Sequence, residues 1–73
     1  MGKHHKNLLN NLAELRMAKG LTQQALSESA EVSRKSINAI ENGVYVPSTV
    51  LALKISKTLG RPVEDIFNLP NTP

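Results

Sequence analysis

Seventy-three residues suffice for one small domain and leave no room for a second. Hydrophobic residues make up 40% of the chain, with one Tyr, one Phe and no Trp, so the core must be aliphatic, a composition that suits packed helices. The absence of Cys excludes disulfides and thiolate metal sites, while nine Lys and Arg against six Asp and Glu give +3 (pI near 9.6), which permits a polyanionic partner without demanding one.

No apolar run approaches the roughly 20 residues of a membrane span, and the start MGKHHKNLLNN lacks the apolar stretch of a secretory signal. A soluble, cytoplasmic protein with no membrane partner is expected. Residues 1–6 read as a disordered tail, 7–68 as the domain and 69–73, with two prolines, as a short irregular tail.

Leu8, Leu12 and Leu15 recur at i, i+4 and i+7 with Leu9 beside them, which predicts a first helix over 7–19. Gly20 then offers the left-handed residue that ends helices, and Lys19 lies at the negative end of the dipole. Thr22 is the expected N-cap of a second helix running to about residue 30, with Leu21 and Leu26 spaced as a hydrophobic staple. Ser33 repeats the device for a third helix, with Val32 and Ile37 as its staple and Asn42-Gly43 as its end.

The loop VYVPS cannot continue a helix, because Val residues are β-branched and Pro47 lacks an N–H. Ser48 then caps a fourth helix whose apolar positions are Leu51, Ala52, Ile55 and Leu59, closed by Gly60. A short fifth helix is predicted over 62–68, with Pro62 in its first turn and Glu64 and Asp65 at its positive end.

The third helix carries the main signal. At about 100° per residue, with Ile37 and Ile40 facing the core, Lys35 and Asn42 point nearly opposite. Asn38 and Ala39 lie near that outward direction, and Arg34 and Glu41 flank the stripe. Two cations in a first turn oppose the helix dipole, which favours anions there. A docking polyanion would reconcile them, since N–H groups, dipole and cations would then act together. Two short helices joined by a tight turn, the second with a polar exposed face, form a helix-turn-helix.

The chain from Asn7 to about Phe67 resembles the lambda-repressor-like (Cro/CI, XRE) family of helix-turn-helix DNA-binding domains. Three pieces in register carry the likeness: LR..KGLTQ..L, VSR.SI..IENG and P....ALKI...L. The resemblance implies an all-α, five-helix bundle in which the second and third helices form the helix-turn-helix, the third lying in the major groove of double-stranded DNA. It implies base reading by Ser33, Arg34, Lys35 and Asn38, with Arg34 or Lys35 donating to guanine and Asn38 pairing with adenine. Gln23, Asn42, Gly43, Tyr45 and Ser48 match phosphate-contacting positions, and Arg16 and Glu41 match an ion pair between the first and third helices.

The function so implied is a transcriptional regulator, a repressor by preference, acting as a homodimer on a palindromic operator with recognition helices about 34 Å apart. Val63, Ile66, Phe67 and Leu69, joined by Val50 and Leu53, supply apolar surface for the dimer interface. The competing class is an antitoxin-type interaction module that regulates its own operon. No enzyme is expected: His occurs only at His4 and His5, and no Gly-rich phosphate loop is present. That His pair lacks a third ligand, so no metal is expected, and with no second domain expected, neither a cofactor nor a small-molecule ligand is. Glu31 departs from the family, which often has Gly at this turn because the backbone needs positive φ.

Overall fold

The computed structural model describes residues 7–70. They form five helices in the predicted order: α1 (Leu12–Ala18), α2 (Gln23–Ala30), α3 (Arg34–Glu41), α4 (Thr49–Leu59) and α5 (Val63–Ile66). A two-stranded antiparallel pair that the sequence reading did not anticipate joins β1 (Leu9–Asn10) to β2 (Phe67–Asn68), with Leu9 opposite Asn68 and Asn10 opposite Phe67. His4 and His5, and the tails expected at 1–6 and from 71 onward, lie outside the described residues. Within those residues no helix is long and apolar enough to cross a membrane, and no group of three or more His, Asp or Glu could hold a metal ion.

The strand pair shortens the first helix. Asn10 turns the chain into α1, its Oδ1 accepting the Leu12 N–H at 3.0 Å while its Nδ2 donates to the Ile40 carbonyl at 3.0 Å. Asn11 donates its backbone N–H to the Ile66 carbonyl (2.8 Å) and its side-chain amide to the Asp65 carbonyl (3.2 Å). These bonds hold Leu9 and Asn10 extended, so the leucine spacing that suggested helix from residue 7 serves a strand at its start. At the other end Pro62, with ψ 151°, stands just before α5 rather than inside its first turn.

One aliphatic core runs through all five helices. Leu12, Leu26, Ala30, Ile37, Ile55 and Ile66 are fully enclosed, and Ile40 nearly so, as the periodicity of each helix demands. Ile66 and Phe67 (0% and 7% exposed), expected at a dimer interface, lie instead in the core of the single chain and leave little surface for such a contact. Their burial closes the bottom of the monomer core, which a chain this short could not otherwise fill. Val63 is half-buried against the same cluster, while Leu69, Leu53 and Val50 stay exposed (78%, 57% and 63%).

Candidate nucleic-acid interface

The helix-turn-helix is set by its caps. Thr22 Oγ1 accepts from Ala25 N (3.0 Å), Ser33 Oγ from Ser36 N (3.1 Å) and Ser48 Oγ from Leu51 N (3.1 Å), each satisfying an N–H that its helix leaves unpaired. Glu31 ends α2 in the left-handed region (φ 60°, ψ 47°), and Val32 N then donates to the Ser27 carbonyl at 2.9 Å. That turn brings α3 across α2 after only three residues. The Glu31 carboxylate accepts from Lys54 Nζ of α4 at 2.8 Å. This hydrogen bond, aided by the lysine charge, holds its carboxyl below the ordinary value of 4.5.

With Ile37 and Ile40 buried, α3 turns Arg34, Lys35 and Asn38 to solvent. Among the described residues Arg34 and Lys35 have no hydrogen-bond or ion-pair partner, so two unneutralised cations stand at the positive end of a helix dipole. Ser33 is differently placed: its oxygen caps the helix, and its hydroxyl donates to Ser36 Oγ at 3.0 Å. Ser36, half-buried, receives that bond on its oxygen and is not among the base-reading residues expected from the sequence.

Behind this face runs a polar chain. Arg16 Nε donates to Glu41 Oε2 at 2.6 Å, Nη2 to Oε1 at 3.3 Å, and Nη1 to the Leu21 carbonyl at 2.8 Å. The two side chains are only 12% and 7% exposed, so the pair ties α1 to the end of α3 largely out of water. Gln23 Nε2 donates both its hydrogens, one to Glu41 Oε1 (2.9 Å) and one to Asn38 Oδ1 (3.2 Å). The Gln23–Asn38 link was not anticipated, although the i, i+3 spacing of Asn38 and Glu41 puts them on one face and could have shown it. Since the Gln23 side-chain amide has no hydrogen left to give, the donor that remains at this residue for the phosphate contact expected of it is its backbone N–H in the first turn of α2.

The remaining candidates follow α3. Asn42 Nδ2 donates back to the Asn38 carbonyl at 3.0 Å, and Gly43, at φ 74°, makes the left-handed turn that a side chain would strain. Tyr45, 43% exposed, donates its backbone N–H to the Ala39 carbonyl at 3.3 Å, so the loop is pinned to the helix. Tyr45 and Ser48 share a shallow cleft with Glu31, Val32 and Lys54.

Comparison with known proteins is decisive on kinship. A helix-turn-helix family model matches residues 12–66. The chain belongs to the helix-turn-helix family. Its lambda-repressor-like, XRE type is shared by proteins named as HTH-type transcriptional regulators: YgzD of Bacillus subtilis (strain 168), 47% identical over 58 residues covering 80% of this chain and 88% of that protein, and MJ0272 of Methanocaldococcus jannaschii, 48% identical over 58 residues with the same coverage. Among solved structures, this helix-turn-helix domain resembles the restriction-modification controller protein C.AhdI from Aeromonas hydrophila, with a TM-score of 0.71 and 33% identity over 74% of this chain and 82% of that one. It also resembles the clp gene regulator ClgR from C. glutamicum, with a TM-score of 0.68 and 31% identity over 74% and 70%. The family is one of DNA-binding transcriptional regulators and not an enzyme class.

Proposed function

We propose that this helix-turn-helix protein represses transcription by binding a palindromic double-stranded DNA site as a homodimer, with α3 in the major groove. The observation that carries the reading is the pair of exposed cations, Arg34 and Lys35, without a partner among the described residues, in the first turn of a helix whose other face is locked into the core. They read base edges together with Asn38, while Ser33 mainly holds the helix start. The backbone N–H of Gln23, together with Asn42, Gly43, Tyr45 and Ser48, holds the phosphates on either side. Arg16 and Glu41 act structurally, and no cofactor takes part.

Homodimer contact falls to the exposed apolar residues of the α4 and α5 end, Leu53, Val50 and Leu69, with Val63 at their edge. Kinship with named gene regulators supports the regulatory role. Random-site selection followed by binding at two salt concentrations tests the mechanism. A palindromic consensus is expected, with affinity falling steeply as salt rises because each neutralised phosphate releases counterions. Sequence-selective binding that ignores salt would refute the phosphate contacts.

A further inference from the structure

The bonds around Gln23 have a direction, and the direction is set by charge. Glu41, bonded to Arg16, is the acceptor end of the chain, so the Gln23 atom 2.9 Å from Glu41 Oε1 must be the amide nitrogen. A carbonyl oxygen there would face a carboxylate. The second hydrogen of that nitrogen points at Asn38, and only an oxygen can receive it, which turns Asn38 Oδ1 inward at 3.2 Å. What Asn38 then offers outward is Nδ2, a group that donates and cannot accept.

This bears on which base Asn38 reads. Paired with adenine, an asparagine uses both ends of its amide, the oxygen accepting from N6 and the nitrogen donating to N7. Here the oxygen is tethered to α2, and rotating it toward a base breaks the bond to Gln23. A donor facing the groove matches guanine O6 or thymine O4 and opposes the amino groups of adenine and cytosine. N7, an acceptor on both purines, does not discriminate, so the choice rests on Nδ2 lying opposite the six- or four-position substituent of the base.

We propose that Asn38 selects a keto-bearing base, guanine or thymine, over an amino-bearing one because Gln23 holds its carbonyl oxygen inside the protein. The inference rests on the reading of α3 as the base-contacting helix. Gln23 is a positioning residue in it, and the Arg16–Glu41 pair is the charge that orients Gln23.

The test uses the full chain and a selected duplex varied one base pair at a time. Asn38→Ala locates the position Asn38 reads, as the one whose base preference flattens. There the wild-type protein is expected to bind guanine or thymine about 5-fold or more tightly than adenine. Gln23→Leu, which removes the tether without adding a polar atom, is expected to bring that ratio near unity and leave the other positions unchanged. Asn38→Asp, which keeps the inward bond but turns an acceptor outward, is expected to shift the preference toward cytosine or adenine and needs no change at Gln23.

Adenine favoured by the wild-type protein at this position overturns the proposal, as does a keto preference that survives Gln23→Leu with melting unchanged. If Asn38→Ala flattens no position while Arg34→Ala does, the proposal fails and α3 remains the base-contacting helix. If neither changes any preference, that broader reading fails as well.

Discussion

At Glu31 the chain adopts a conformation in which an L side chain is strained and glycine is not. The Lys54 ion pair offsets part of that strain, but it is exposed, and exposed pairs contribute little. Strain is the larger effect, so Glu31→Gly is expected to raise the melting temperature, by roughly 4–8 °C, with DNA sequence preference unchanged. The ion pair has its own pH signature. Because Lys54 holds the folded-state carboxyl below its unfolded value of 4.5, its contribution is present above that pH and disappears as pH falls through the folded value. Lys54→Met should therefore lower the melting temperature slightly at neutral pH and have no effect well below pH 4.5, as thermal melts at the two extremes would show. Arg16 and Arg34 divide the labour of two arginines. Arg16→Ala leaves Glu41 facing only Gln23 and should cost about 3 kcal/mol of stability. Arg34→Ala should leave denaturant unfolding unchanged and weaken DNA binding in a gel-shift titration.

The elements divide into those written locally and those written at a distance. Caps at Thr22, Ser33 and Ser48, with glycines at 20, 43 and 60 in left-handed turns, are local chemistry, and the chain positions of α2, α3 and α4 could be read directly from them. The outward face of α3 was legible for the same reason, since helical spacing alone separates Ile37 and Ile40 from Lys35 and Asn38. The strand pair was not legible, because Leu8, Leu9, Leu12 and Leu15 satisfy a helical repeat and the partner of Leu9 lies at the far end of the chain. Nor was the orientation of the Asn38 amide, which depends on a side chain of α2 and on a charge in α1. Asn10 is the residue that stitches β1 to α3. Asn10→Ala is expected to destabilise the domain by about 1–3 kcal/mol and to speed hydrogen exchange at the Asn11 amide ahead of the α3 amides.

For the whole molecule the question is how one small domain finds enough surface. Ile66 and Phe67 are needed inside, so the proposed homodimer would have to draw on apolar residues that stay exposed, Leu53, Val50 and Leu69. Leu53→Asp with Leu69→Asp is expected to leave circular dichroism and melting nearly unchanged, to give a monomer by sedimentation, and to weaken binding to a palindrome much more than to a half-site. A fully dimeric double variant would move the interface elsewhere. Ile66→Ala, by contrast, should behave as a core truncation and cost about 2–5 kcal/mol.

The β1–β2 pair also orders events in time. Contacts between α2 and α3 join neighbours along the chain across a three-residue turn, whereas pairing Leu9 with Asn68 requires the two ends to meet. Loop-closure entropy makes that meeting the slowest contact to nucleate and the easiest to lose. The α2–α3 pair is accordingly expected to assemble ahead of the end-to-end clasp, which would lock over a unit already in shape.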